Sequence, residues 1–291
     1  MKGEVELYHE MPLQMLLQGY EDKLGISGHY ALVHLYEKHK EYFEYSIQRL
    51  KQGRPVILDN SIFELGTAFD ADRFAFWIKE LVKYAGKGNV NRNLLYIIPD
   101  VLDDYEGTVS QAKNFLQKYE KLPGKKMAVA QGKTCSELLH CYQELNSLTN
   151  LDRTGISFNC EAYTSASKDS CAEDDYDDWE TTLKVWSSGR IRFINTLLES
   201  YKELSELPSR LHLLGCSLPQ EFKYYRGMDA IASIDTSNPV VHGIKGIAYT
   251  HAGLDRKESI KLADLFETNV ITPQLDLIEW NTAVFRWFIN G

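Results

Sequence analysis

The stretch Asp229-Ala230-Ile231-Ala232-Ser233-Ile234-Asp235-Thr236-Ser237-Asn238-Pro239 decides how the rest of the chain is read. Ala230 to Ile234 is apolar or small throughout, the composition of a strand buried on both faces. The run stops at Asp235, and the turn formers Thr, Ser, Asn and Pro follow. A carboxylate at the end of a buried strand is held between apolar walls with its oxygens directed off the sheet. That position suits a nucleophile or a general base. It also suits a turn cap, which Asp makes through its own side chain. Recurrence of the pattern separates the two readings.

The pattern recurs upstream. Leu211–Leu214 ends in Gly215-Cys216, Thr154–Phe158 in Asn159-Cys160-Glu161, and Met127–Ala130 in Gln131-Gly132. Leu94–Ile98 ends in Pro99-Asp100, and Pro55–Leu58 in Asp59-Asn60-Ser61. His29–Leu35 opens the series. Between these runs lie segments of helical spacing: 37–51, 70–84, 105–119, 135–145, 177–187, 190–204 and a short one at 220–226. Helices are also expected over 256–266 and 274–289. Apolar strands alternating with helices mean βαβ units and a parallel sheet. Seven or eight units in about 260 residues fit a single-domain (β/α)8 TIM barrel. The eighth strand is expected within Val240–Ile247, residues 1–28 read as a lead-in broken by Gly19, Gly25 and Gly28, and 248–291 as C-terminal helices. No Gly-rich fingerprint follows the first strand, so a dinucleotide site has no support.

Composition narrows the function classes. A chain of 291 residues, 44% hydrophobic and 25% charged, has the profile of an ordinary globular protein. No apolar run is long enough to cross a bilayer, and Met1–Glu10 is too charged for a signal peptide, so a cytoplasmic protein without a membrane partner is expected. Cys135, Cys141, Cys160, Cys171 and Cys216 are dispersed and read as free thiols. A net charge of −9 argues against non-specific coating of nucleic acid but leaves a local basic groove open. The acidic run Glu173, Asp174, Asp175, Asp177, Asp178, Glu180 reads as a solvated loop and helix start. So do the basic clusters Lys121/Lys125/Lys126, Arg190/Arg192 and Arg256/Lys257/Lys261 as solvated faces.

In a barrel the strand ends converge on one face. Separate turn roles explain Asn60, Ser61 and Asn159; they explain Asp59, Asp100, Gln131 and Asp235 together less well. No His pair or Cys cluster offers a transition-metal site, so no metal is expected there, although carboxylates alone leave magnesium open. No Ser nucleophile elbow and no phosphate-cradling Gly-rich loop is present. Two carboxylates working on a glycosidic carbon are the simplest chemistry left, and they need no cofactor.

The ordered set of segments resembles the tRNA-guanine transglycosylases and their relatives, the 7-deazaguanine DNA transglycosylases of phages and bacterial modification islands. The family's Asp-Ser-Gly-Gly-Phe-Gln segment is matched by Asp59-Asn60-Ser61-Ile62-Phe63-Glu64, and its Val-Gln-Gly by Val129-Ala130-Gln131-Gly132. Its Gly-Gly-Leu-x-Val-Gly-Glu segment is loosely similar to Ile156–Glu161, its His-Tyr-Leu-Met-Gly resembles Leu211–Gly215, and its Asp-x-Phe-Asp-Cys resembles Asp229–Asp235. The resemblance covers roughly residues 30–240 in order. It implies base exchange by double displacement, with Asp235 attacking C1′ and Asp59 as general acid/base. Asp100 and Gln131 would then read the purine edge, with Asn60, Gly132, Ser157, Phe158 and Gly215 around the base. The implied partners are DNA, or tRNA as the alternative, and a 7-deazaguanine base; a homodimer is left open. The target base must leave its stack to be reached, and Tyr105, Phe158 and Tyr163 are stacking candidates. This chain departs from the family at Ser61, Ile62, Ser157 and Phe158, where the family has glycines, and no Cys follows Cys216 to complete the zinc motif of the bacterial tRNA enzymes. That tilts the expectation toward DNA. The competing readings are a two-carboxylate nucleoside or glycoside hydrolase and an inactive barrel that binds nucleic acid.

Overall fold

The computed structural model describes residues 4–67, 69–164, 179–201, 204–258, 260 and 262–291. Its strands are β1 (Glu6–Tyr8), β2 (His29–Leu32), β3 (Val56–Asp59), β4 (Leu94–Ile97), β5 (Lys125–Ala130), β6 (Arg153–Ser157), β7 (Arg210–Leu214) and β8 (Ile231–Asp235). They form one eight-stranded sheet in the order β1-β8-β7-β6-β5-β4-β3-β2. Every pairing is parallel. Helices alternate with these strands and cover the outside, giving a nearly closed TIM barrel.

Local chemistry explains where the helices begin. Asp70, Asp104 and Thr134 cap Ala71–Ala85, Tyr105–Lys118 and Cys135–Leu148 by accepting backbone N–H bonds at 2.8, 2.9 and 3.1 Å. In Ala71–Ala85 the buried residues Phe74, Ile78 and Leu81 fall on one stripe, and Phe74 meets the outward-facing Tyr96 of β4 edge-on at 6.3 Å.

The eighth strand is not where periodicity suggested. Val240–Ile247 does not pair in the sheet; Asn238–Ile244 is a buried helix with Pro239 in its first turn, a position whose missing N–H costs nothing. The place is taken by β1 inside the expected lead-in, where Glu6, Leu7 and Tyr8 pair with Ser233, Ile234 and Asp235. Three residues are too few for a period to register, and Glu6 breaks the apolar pattern. Other boundaries move as well. β2 stops at Leu32 and passes into a 3-10 turn, Val33–Glu37. The two helices expected around residue 188 form one, Trp179–Glu199. Among the described residues the segment 256–266 has a 3-10 turn at Leu262–Leu265 in place of a helix, and 220–226 has one at Pro219–Lys223.

Cys141, Cys160 and Cys216 are free and buried, whereas Cys135 is disulfide-bonded, which corrects the free-thiol expectation at that residue. Cys171 and the acidic run from Glu173 to Asp178 lie outside the described residues. Arg190 is not on a solvated face: it is fully buried, and its Nε donates to Glu221 at 2.7 Å. Among the described residues no helix is long and apolar enough to cross a membrane.

The barrel seam lies between β1 and β2, where Ser27 N–H donates to Leu7 O at 2.8 Å and Ser27 Oγ accepts from Leu7 N–H at 2.9 Å. Gly28 makes this closure possible. A Cβ there would lie 2.3 Å from the Pro55 carbonyl oxygen and 2.9 Å from the Tyr8 ring. The carbonyl is backbone and cannot step aside. Gly28→Ala is therefore expected to destabilise the fold by about 1–3 kcal/mol, as overpacking does. Urea denaturation of the two proteins measures it, and equal midpoints would show that the seam has slack.

Candidate active site

At the mouth of the barrel, strand ends supply three carboxylates, each with its own donors. Asp235 ends β8 and is 5% exposed; its Oδ1 lies 2.9 Å from Nε2 of His212, which is fully buried on β7. Asp59 ends β3. The Tyr30 hydroxyl donates to its Oδ2 at 2.5 Å, and the Ser61 N–H donates to Oδ1. Asp100 follows β4 and takes Asn60 Nδ2 and Gln131 Nε2 on its two oxygens, each at 2.7 Å. Asn60 and Gln131 are themselves fixed, accepting from the N–H groups of Ile62 at 3.0 Å and Asp103 at 3.2 Å. The Tyr30 and His212 rings lie nearly parallel, 6.4 Å apart and 10° from coplanar. Asp59 and Asp235 are thus held by two rings that face one another.

The three carboxylates, with Tyr30, Asn60 and Gln131, line one cavity of about 460 Å³, and His212 lies behind it. Asn60, Asp100, Gln131, Ser157, Phe158 and Gly215 all reach it, as the sequence suggested. Gly132 does not. A Cβ there would strike Glu137 at 2.7 Å, and its carbonyl accepts from Cys160 Sγ at 3.0 Å, so it packs the strand end against the following helix. Of the stacking candidates only Phe158 lines the cavity: Tyr163 is buried with its hydroxyl on Ser157 O at 3.3 Å, and Tyr105 packs beside His140. Phe158 stands edge-on to both Phe63 (5.8 Å) and Trp186 (5.9 Å), and the Lys257 ammonium lies 4.1 Å above its ring. Gly215, at φ +67°, leaves room for it, since a Cβ there would lie 2.3 Å from Phe158.

The sequence reading missed Tyr30, His212, Glu10, Glu64 and Lys257. His212 and Ser233 carried a usable signal, being polar residues at alternate positions inside otherwise apolar strands. Glu10 went unseen because β1 did. Lys257, expected on a solvated face, is instead the cation lining the cavity among the described residues, with Nζ on Cys216 O at 2.6 Å.

Electrostatics sort the carboxylates. Burial pushes Asp59 up to about 7, opposed by the Tyr30 and Ser61 hydrogen bonds and reinforced by Glu64 and Asp235. Burial raises Asp100 to about 6 against the Asn60 and Gln131 donors. Glu10 is driven well above the carboxylate range by burial and then by Glu64, Asp235 and Asp59. Burial lowers Lys257 and His212. Near neutrality Asp59 is therefore poised to give or take a proton. Among the described residues no three His, Cys, Asp or Glu side chains are grouped so as to hold a metal ion.

No family model matches the chain, and no curated protein matches it. Among solved structures, N-acetylneuraminate lyase from Mycoplasma synoviae is similar with a TM-score of 0.46 at 9% identity, over 84% of this chain and 74% of that one. A putative fructose-1,6-biphosphate aldolase from Coccidioides immitis gives a TM-score of 0.46 at 8% identity, over 98% and 88% of the two chains. Similarity at this level carries no argument about activity.

The raised carboxyls fix the sign of a pH effect. A carboxyl whose folded pKa exceeds its unfolded value favours the fold below the unfolded pKa, and that contribution is lost as pH rises through the folded one. Asp59 and Asp100 place this loss between about pH 4 and 7. Asp59→Asn should flatten the fall in stability over that window and raise Tm at pH 8 by about 2–4 °C, on the order of 1 kcal/mol. Melting curves at pH 5 and pH 8 test it; an unchanged slope would mean that Asp59 is not the buried acid.

Proposed function

We propose that the chain is a pentosyltransferase that exchanges guanine for a 7-deazaguanine base in nucleic acid, DNA favoured over tRNA, acting in the cytoplasm without a cofactor. The observation that carries this reading is the pairing of Asp235 and Asp59 at one cavity, with the Asp59 carboxyl lifted to about 7. Asp235 attacks C1′ of the target nucleotide and forms a glycosyl ester as the C1′–N9 bond breaks, and Asp59 gives its proton to the departing guanine. The incoming base then yields its own proton to Asp59 and displaces Asp235 from C1′. The stereochemical outcome is retention, as in double-displacement glycoside chemistry.

The Asn60–Asp100–Gln131 network suits recognition of the base. Each Asp100 oxygen is engaged by an amide and keeps a second lone pair, so one carboxylate can accept from neighbouring N–H groups on a purine edge. Backbone geometry supports the resemblance at another point. Ser61 adopts φ +63°, a left-handed conformation that glycine takes freely, at a position where the family that the chain resembles carries glycine. The lining sets Lys257 among Glu10, Asp59, Glu64, Asp235 and Glu258. Such a cavity admits one flipped nucleotide and leaves the strand's other phosphates outside.

The test is incorporation of labelled guanine into duplex DNA, single-stranded DNA and tRNA. Wild type should label DNA, Asp235→Asn should fall below detection, and Asp59→Asn should lose about 10²–10⁴-fold. Release of base without incorporation would reassign the site to a hydrolase that uses the same two carboxylates with water as acceptor. Neither release nor incorporation on any polymer would overturn the reading.

A further inference from the structure

A TIM-barrel interior is ordinarily filled by branched aliphatic side chains. Here one side of it is polar from floor to mouth. Glu6 on β1 accepts from Arg153 Nη2 at 2.9 Å and from the Tyr8 hydroxyl at 2.8 Å. Arg153 on β6 donates through Nη1 to Ser233 Oγ at 2.5 Å. Ser233 Oγ lies 2.6 Å from His212 Nδ1, and His212 Nε2 lies 2.9 Å from Asp235 Oδ1. Ser233 and His212 are fully buried, so each polar atom in the column needs a partner.

We propose that Glu6, Arg153, Ser233 and His212 form a one-directional hydrogen-bond column that positions Asp235, with His212 acting as a fixed N–H donor and not as a proton carrier. The direction is imposed from the floor. A guanidinium only donates, so Ser233 Oγ accepts from Arg153 and its own proton is left to point elsewhere. The acceptor within reach is His212 Nδ1, which must then carry no proton. The imidazole proton is thereby confined to Nε2 and aimed at Asp235 Oδ1, leaving Oδ2 as the oxygen His212 does not engage. An imidazolium would break the column, because Nδ1–H and Arg153 would both donate to Ser233 and strand the hydroxyl proton. The groups facing His212 are Asp235 and Ser233 from β8, Arg153 from β6, Glu6 and Tyr8 from β1 and Tyr30 from β2. Burial outweighs the Asp235 hydrogen bond and lowers the His212 pKa, which also disfavours the imidazolium. The Tyr30 face and the Tyr8 edge, each 6.4 Å from the ring, oppose its rotation. His212 is therefore a positioning residue. The assignment rests on the transglycosylase reading only for what Asp235 attacks.

The column is tested first without any activity. In protein labelled with 15N-histidine, the His212 signals, assigned by their loss in His212→Gln, should report a proton on Nε2 and a bare Nδ1. They should not move between about pH 5 and 8, the range in which an ordinary histidine titrates. Ser233→Ala should release the lock, giving averaged tautomers or a titrating ring, and Arg153→Lys, which keeps a donor, should retain the wild-type pattern. A proton on Nδ1, a titrating His212 in the wild type, or a Ser233→Ala spectrum equal to wild type would overturn the proposal. In base exchange, Ser233→Ala should lower kcat on the order of a hundredfold, as misplacement of a reacting group does, with KM within about twofold. Unchanged kcat would overturn the positioning role. If the wild type exchanges no base while the spectra behave as stated, the transglycosylase reading fails and the column stands.

Discussion

Concentrating carboxylates at the end of a buried sheet is costly, and the mouth of this barrel is organised to meet that cost. Charges removed from water must find donors or give up their ionisation. Asp235 has the His212 N–H, Asp59 the Tyr30 hydroxyl and the Ser61 amide, and Asp100 two side-chain amides. Where donors fall short of the burial, the carboxyl is pushed toward its neutral form, as at Asp59 and more strongly at Glu10. Placement thus separates carboxyls of the same chemistry, and the roles proposed for Asp235, Asp59 and Asp100 rest on that separation.

The donors are as fixed as the groups they serve. Tyr30 and His212 face each other across the interior, one holding Asp59 and the other Asp235. Neither ring can swing without disturbing its neighbour. The polar column beneath His212 replaces apolar filling that would have stabilised the barrel more simply, and a buried polar network is favourable only when every member is satisfied. Its members come from β1, β6, β7 and β8, so the register Glu6↔Ser233 and His212↔Ser233 holds the column as well as the sheet. A slip of one residue would turn Ser233 outward and take from Arg153 the acceptor that links it to His212.

The barrel was legible because most of its strands are short apolar runs ended by polar residues, and buried parallel strands leave that signature. β1 was not, since three residues with Glu6 among them look like a loop; only the pairing partner makes them a strand. The helix Asn238–Ile244 was mistaken for a strand because it is buried on all sides, and an apolar run buried all round has no period to read. Within the site, residues at strand ends were found and those one layer down were not. Asp59, Asp100, Gln131 and Asp235 announce themselves by interrupting an apolar run at its end. Tyr30 can pass for core, and His212 for a satisfied core histidine, until the geometry reveals what each one touches. Lys257 lies on an irregular segment far along the chain, and no spacing rule could bring it to the cavity.

The departures from the glycine-rich pattern also become physical statements. At Ser61 the backbone keeps the left-handed turn and bears a side chain all the same, a local strain of about 1–2 kcal/mol for a non-glycine residue. The turn brings the Ser61 amide onto Asp59, so the strain is tied to the proposed acid/base. Phe158 also stands where the family that the chain resembles has glycine. A ring occupies space on the cavity wall where a glycine would have left backbone bare, and Gly215, on the neighbouring strand end, supplies the missing volume. The lining is therefore apolar and aromatic at Phe158 and Trp186, and polar at Asp100 and Gln131. On the reading proposed above, the amide–carboxylate network at Asp100 would take the edge of the base, and the apolar residues of the lining would exclude water around it.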